Sequence, residues 1–432
     1  MYLKRLSAGL LRHSKALTGL AARAGGVALG FIVTVIIGRW YGPAANGQYA
    51  LVTQTAMFLS VMAVGGLDLA VTREFSRGAA SGLRVQRQSL ALVYLQAFLI
   101  AAAISGALFL AGNSLLDQLG RQAVPQTALA TLVAILMART FTRIAAAVLR
   151  SQRRYIFAQV VEVILIPAFT LLVLAAGIVR TLPEILWMTA AAGLVAALTG
   201  AATSFGNTSS DQSAVRIPMK TLWATALPLW GVAIAQNFAE WFGLATAGAA
   251  TGLYGAGLYR VASQVSSVLG IVTLGLFGTF VAQMSEAHHN HDRQRIAQLA
   301  GAATRLSVVI IIPFAAALAA AAGPLLSLVG AEFVAARPLL LVLIIGQVVY
   351  AATGPSGLVL AITGHARINL AITISTTMAM LGLAPLAARE FGVIGVATTL
   401  SALLVVRNIA SLYAVRHLEG IMVLTGRYAA LQ

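Results

Sequence analysis

Five arginines sit inside long apolar runs of this chain: Arg23, Arg139, Arg143, Arg260 and Arg407. A guanidinium stays charged when desolvated and offers a planar fork of N–H donors that matches carboxylate and phosphate oxygens two at a time. Arg139 and Arg143 are four residues apart, and Arg150 and Arg154 follow at spacings of seven and four. On a helix these steps return to nearly one direction, so the four form a stripe. At 1.5 Å per residue, Arg143 lies about 10 Å and Arg139 about 16 Å from the basic end of the run. Arg139 is too deep to extend to the surface. A lipid-facing arginine at that depth costs about 3 kcal/mol or more, so the stripe is expected to face protein or water.

The acidic residues in the same runs are Asp68, Glu162 and Glu240. Glu162 lies on the run after Arg143 at a similar depth, and Glu240 and Arg260 share the outer half of neighbouring runs. Both are expected as fixed interhelical ion pairs, with cation coupling as the other role for these carboxylates. Arg23, Arg139 and Arg407 then remain, with Asp68 as the one buried counter-charge, and such a basic surplus calls for an anionic ligand. Gln236, Asn237 and Glu240 share a run with Trp230 and Trp241, a mixture suited to hydrogen-bonding and stacking on sugars. The plainer roles for such residues are helix–helix hydrogen bonds and anchoring at the membrane interface.

The elements that must carry these residues follow from composition. The 432 residues are 59% hydrophobic and only 9% charged, far too little polar surface to cover a water-soluble particle of this size. Runs of about 20 apolar residues, the length of a membrane span, begin near residues 17, 48, 89, 125, 156, 185, 221, 254, 304, 338, 368 and 393. They are continuously apolar rather than alternating, which predicts twelve helices and not barrel strands. The basic first run is long enough to cross on its own and is expected as the first span rather than a cleaved signal.

The net charge of +17 would point to nucleic acid in a soluble chain. Here the basic residues cluster in alternate connections, nineteen on one side against Arg39, Arg121, Arg180, Arg337 and Arg389 on the other. That asymmetry predicts cytoplasmic N- and C-termini and no nucleic-acid partner. A polar stretch around Gly206–Lys220 separates six spans from six, giving expected halves of residues 1–208 and 209–432. The halves look like a duplicated unit, because Gly42-Pro-Ala-Ala-Asn-Gly-Gln-Tyr49 and Gly248-Ala-Ala-Thr-Gly-Leu-Tyr254 occupy the same turn. A parallel repeat of this kind is typical of alternating-access transporters.

Several chemistries are not expected. The chain has no cysteine, no phosphate-binding Gly-x-x-x-x-Gly-Lys loop and no Asp-x-Asp pair. His288-His289-Asn290-His291 lies beside Asp292, Arg293 and Arg295, which reads as a solvated linker rather than a metal site. The expectation is therefore a non-enzyme with no catalytic residues, cofactor or metal.

Larger motifs carry a resemblance. Gly30-Phe-Ile-Val-Thr-Val-Ile-Ile-Gly-Arg-Trp-Tyr-Gly-Pro-Ala-Ala-Asn-Gly-Gln-Tyr49 and Gly66-Leu-Asp-Leu-Ala-Val-Thr-Arg73 open the chain. Gly252-Leu-Tyr-Gly-Ala-Gly-Leu-Tyr-Arg260, Leu328-Val-Gly-Ala-Glu-Phe-Val-Ala-Ala-Arg-Pro-Leu-Leu340, Gly354-Pro-Ser-Gly-Leu-Val-Leu-Ala-Ile-Thr-Gly364 and Phe391-Gly-Val-Ile-Gly-Val-Ala397 follow in the second half. Together they resemble the oligosaccharide and polysaccharide flippases of the multidrug/oligosaccharidyl-lipid/polysaccharide exporter superfamily, over nearly the whole chain. The resemblance implies an all-α polytopic membrane protein with two pseudo-symmetric six-helix bundles around a central cavity. It also implies movement of polyprenyl-pyrophosphate-linked oligosaccharide from the cytoplasmic to the periplasmic leaflet of a bacterial inner membrane. Such a step serves surface polysaccharides such as lipopolysaccharide or exopolysaccharide, alongside polymerase or export partners. The family's basic residues on the first and eighth helices match Arg23 and Arg260. Its Asp followed by a basic residue on the seventh helix is replaced here by Glu240-Trp241, a departure that weakens any coupling role there. The rival expectations are a cation-coupled multidrug exporter of the same superfamily, for which an acidic cavity would be expected, and a membrane glycan polymerase.

Overall fold

The computed structural model describes residues 2–80, 86–118, 126–206, 208 and 217–429; side chains at 2–21, 23–24, 77–80, 111–118 and 126 are outside the described set. Arg23, placed in the cationic set above, therefore has its side chain outside the described residues. The chain is all-α. Its helices are α1 (Tyr2–Val64), α2 (Leu67–Ala80), α3 (Arg87–Gln118), α4 (Gln126–Ser151), α5 (Tyr155–Gln159), α6 (Leu165–Ala175), α7 (Leu182–Gly206), α8 (Met219–Gly278) and α9 (Val281–His289). They continue as α10 (Arg293–Ala320), α11 (Ala322–Val329), α12 (Arg337–Ala352), α13 (Ser356–Ile362) and α14 (Ala366–Glu419). A small antiparallel pair, β1 (Ile421–Met422) and β2 (Arg427–Tyr428), ends the described chain.

Among the described residues, nine helical stretches are long and apolar enough to cross a bilayer. Three of them, in α1, α8 and α14, are bent into two arms at Gly42, Gly252 and Gly392. Counted by arms, the described crossings reach the expected twelve, and the protein is a multi-pass membrane protein. The bends have φ of 79°, 72° and 61°, a backbone region that costs glycine nothing and other residues considerably more. The many hydroxyls in these helices mostly donate to the carbonyl one turn back, as Thr34 does to Gly30, Thr140 to Leu136 and Thr304 to Ala300. A serine or threonine can thus lie in hydrocarbon without another partner.

The chain forms two compact units, one of Met1–Ile36 with Leu51–Phe238 and the other of Ile37–Ala50 with Ala239–Gln432. In the first unit α4 packs on α7 through small residues. Methyl groups added at Gly193 and Gly200 would meet Ala138 and Ala145 Cβ at 2.8 and 2.7 Å. The matching seven-residue steps mean the two helices run in the same direction with close backbones. Gly65 and Gly66, both at positive φ, break the chain between α1 and α2 and let α2 turn onto α4. The core around this junction holds Leu67, Val71, Phe75, Leu90, Leu149 and Leu222.

In the second unit, Gly47 and Gly257 meet reciprocally. A methyl at Gly47 would collide with the Leu253 carbonyl, and one at Gly257 with the Pro43 carbonyl. Residues 43 and 253, and 47 and 257, differ by the same 210 positions as the bends Gly42 and Gly252. This is the self-complementary contact expected of a duplicated element packed about a local two-fold. In the same unit, the buried Glu419 carboxylate lies 3.3 Å from Arg293 Nε and 3.2 Å from His365 Nδ1. That contact ties the start of α10 and the turn before α14 to the end of α14, beside a core of Met284, Ile296, Leu360, Val415 and Ile421.

Candidate functional site

The first unit holds the arginine stripe, and three of its four members are engaged. Arg143 Nη2 lies 2.9 Å from Asp68 Oδ2, with side chains 19% and 6% exposed. Arg150 Nη1 forms a close ion pair with Glu162 Oε2. Arg139 Nη1 donates to the backbone carbonyl of Glu162 at 3.2 Å. The expected pair of Arg143 with Glu162 is therefore corrected: Asp68 answers Arg143, and Glu162 answers Arg150. Two local features produce the exchange. The Gly65–Gly66 break brings Asp68, in the first turn of α2, against α4. In addition, Val160–Ile164 winds as a π-helix, which rotates Glu162 away from its α-helical direction.

The π segment also explains what Arg139 does. Leu165 N–H bonds to Val160 O, five residues back. Continued by two residues, that register would assign the Glu162 carbonyl to residue 167, which is a proline without an N–H. A carbonyl in hydrocarbon gains from a donor, and Arg139 supplies one. The arginine for which depth along the runs offers no counter-charge is thus a cap on a broken helix ladder.

The second unit differs. Arg260, on the second arm of α8, lies within electrostatic reach of Glu240, Tyr49 and Tyr259, yet makes no side-chain hydrogen bond or ion pair among the described residues. The expected close pair of Glu240 with Arg260 is corrected accordingly. Tyr259 occupies the contact between the two arms, where a methyl at Gly243 would meet its hydroxyl at 2.7 Å. Arg407 lies on α14, fifteen residues past the bend at Gly392, about 22 Å along the helix at 1.5 Å per residue. It too makes no side-chain hydrogen bond or ion pair among the described residues.

Glu240 and Arg407 line one cavity of about 200 Å³, together with Gln347 on α12, Thr376 and Thr377 on the first arm of α14, and Ser401 on its second. Ala239, Leu343, Met380, Leu400, Leu403 and Leu404 complete its walls. All of these residues belong to the second unit. Gln347, Thr376, Thr377 and Ser401 are common residue types on apolar helices, so type alone does not mark them as a site. The signal that could have found them is the recurrence of polar side chains at similar depth on three runs.

The expected sugar contacts separate. Asn237 Nδ2 donates within its helix to Ala233 O at 2.8 Å, and Gln236 is exposed. Trp230 Nε1 donates to Val61 O at 3.0 Å, which makes it a packing residue of the first unit. Trp241 is half-buried on α8 in the second unit.

No protein-family model and no curated protein sequence matches the chain. Solved structures do. An inward-facing multidrug resistance MATE family transporter of the MOP superfamily superposes with a TM-score of 0.72 at 14% identity, covering 93% of this chain and 97% of that one. The lipid II flippase MurJ, in an inward closed conformation, gives 0.65 at 13% identity over 93% of this chain and 87% of its own. A MOP superfamily transporter from Pyrococcus furiosus, described as having a binding pocket of reverse polarity, gives 0.59 at 14% identity over 92% of each chain. The twelve crossing arms of this chain are thus arranged in the fold that MATE transporters and MurJ share.

Proposed function

We propose that this protein is a transporter that moves polyprenyl-pyrophosphate-linked oligosaccharide from the cytoplasmic to the periplasmic leaflet of a bacterial inner membrane, for surface polysaccharide synthesis. The observation that carries the reading is the pair Arg260 and Arg407, two guanidiniums within membrane-crossing arms that no carboxylate among the described residues engages by a close ion pair. An arginine in that setting is costly unless an anion or water meets it. An anionic head group fits, because phosphate and sugar-acid oxygens both accept from guanidinium N–H groups in pairs. The lipid tail is at home in hydrocarbon, so only the charged and sugared head needs a polar path. Rocking of two repeated halves around a head group held at mid-depth is the movement such folds support. The motif resemblance and the likeness to a lipid II flippase favour the same cargo class.

The test is reconstitution into vesicles carrying a fluorescent polyprenyl-pyrophosphate oligosaccharide. The intact protein is expected to expose the head group to an outside quencher, and Arg407→Gln to slow that exposure by about tenfold or more, the rate equivalent of about 1.4 kcal/mol. Glu240 in the same cavity favours a second reading, export of organic cations. That reading predicts cation efflux from the same vesicles, unharmed or improved by Arg407→Gln, and no movement of the lipid.

A further inference from the structure

The cavity between α8, α12 and α14 contains opposite charges that do not meet. Glu240 and Arg407 both line it, yet they are not within ion-pair distance of each other. A carboxylate and a guanidinium brought into contact in such a setting attract each other far more strongly than in water. The packing of α8 and α14 holds them apart across the cavity instead. A lone metal cation is a poor occupant because Arg407 repels it, and a lone anion is a poor occupant because Glu240 does.

The uncharged lining adds direction. Ser401 Oγ donates to Val342 O at 3.0 Å, Thr376 Oγ1 to Ile372 O at 3.0 Å, and Thr377 Oγ1 to Thr373 O at 2.8 Å. Each hydroxyl has a single proton and has committed it to a backbone carbonyl, so what remains for a ligand is lone pairs. Apart from Arg407 and the Gln347 amide, the polar lining therefore only accepts. Its complement is a molecule rich in O–H or N–H donors that also carries one anionic group. The volume, about 200 Å³, falls below the roughly 300–1,000 Å³ of pockets for drug-sized ligands.

We propose that this cavity binds one small, hydroxyl-bearing zwitterion, with its ammonium toward Glu240 and its carboxylate on Arg407. The ligand class is an acidic amino sugar, a single ring with both charges, and the cargo that passes through the protein carries such a ring. The inference rests on the transport reading for the carrier lipid, but the chemistry of the cavity does not depend on it.

The experiment is titration calorimetry on the full chain in lipid nanodiscs with five free probes. They are 2-amino-2-deoxyglucuronate, glucuronate, glucosamine, glucose, and glutamine as a zwitterion that is not a sugar. The amino sugar acid is expected to bind at least about tenfold more tightly than either singly charged sugar, with glucose weakest. Arg407→Gln should bring its affinity down to that of glucosamine, and Glu240→Gln down to that of glucuronate. Should Arg407→Gln fail to fold, Arg407→Lys keeps the charge without the planar fork. It is expected to weaken the two carboxylate sugars by the same factor and leave glucosamine unchanged. Equal binding of glucuronate and the amino sugar acid to the unaltered protein, or no saturable binding of any sugar, overturns the proposal. Glutamine bound as tightly as the amino sugar acid overturns the sugar assignment. The titration uses free sugars and no lipid-linked cargo, so the two readings fail separately. Zwitterion binding without lipid flipping sinks the transport reading alone, and flipping of a neutral lipid-linked oligosaccharide without zwitterion binding sinks this inference alone.

Discussion

Each unit buries arginines within apolar helices, and the two treat them in opposite ways. In the first unit Asp68 answers Arg143, Glu162 answers Arg150, and the Glu162 carbonyl receives Arg139. In the second, Arg260 and Arg407 have charged neighbours within electrostatic reach or across a cavity, and no close ion pair among the described residues. The same residue type within apolar helices is thus ion-paired or hydrogen-bonded in one unit and, among the described residues, left without a close ion pair in the other. A charge inside a membrane protein identifies a site only when its local partners have been accounted for.

The contrast breaks most visibly at Asp68. Asp68→Ala leaves Arg143 partly buried with no counter-charge, and removal of one member of such a pair costs about 3–5 kcal/mol. The expected outcome is a large loss of folded protein in detergent, read by thermal melting and by yield of monodisperse protein. Replacing both partners, Asp68→Asn with Arg143→Met, removes the stranded charge and is expected to recover most of that loss. If the single and the double variant melt alike, the pair is not what holds α2 against α4.

The second unit should respond in the reverse sense. Arg407→Gln and Arg260→Gln each remove a charge that makes no side-chain hydrogen bond or ion pair among the described residues, so melting temperature should stay level or rise. Transport of the lipid-linked head group should fall by about tenfold or more for each, again about 1.4 kcal/mol at the barrier. A variant that loses stability in step with transport would move its arginine into the scaffold class and erase the difference between the units.

Much of this was readable from the residues, and the limits have physical causes. The apolar runs determine the crossings because hydrocarbon leaves the backbone few alternatives to helix, so the twelve arms match closely. The bends at Gly42 and Gly252 were visible as a repeated glycine turn. Partner choice among charges was less legible. Pairing by depth along neighbouring runs gave Glu162 to Arg143, but a pair of glycines at 65 and 66 redirected α2, and a π turn redirected Glu162. Both are rotations about a helix axis, to which depth is blind. The cavity in the second unit was legible only in its charges. Its neutral members, Gln347, Thr376, Thr377 and Ser401, come from three successive runs, and similar depth on those runs does not show that their side chains turn to one face.

Arg139 gives the smallest effect and the finest test of the comparison. Its guanidinium donates to a carbonyl that Pro167 cannot serve, a charge-assisted bond worth about 1.5–3 kcal/mol. Against that stands a desolvation cost on the order of 3 kcal/mol for an arginine at this depth. The two nearly cancel, so Arg139→Met should change stability by about 1 kcal/mol or less and leave transport intact. Pro167→Ala restores an N–H in the register that reaches the Glu162 carbonyl. In that background Arg139→Met should cost measurably less than in the natural sequence, a coupling that a double-mutant cycle of melting free energies detects. No coupling would remove the capping role. Loss of transport by Arg139→Met with stability unchanged would go further, because it would make the first unit a binding surface as well and leave the two units alike.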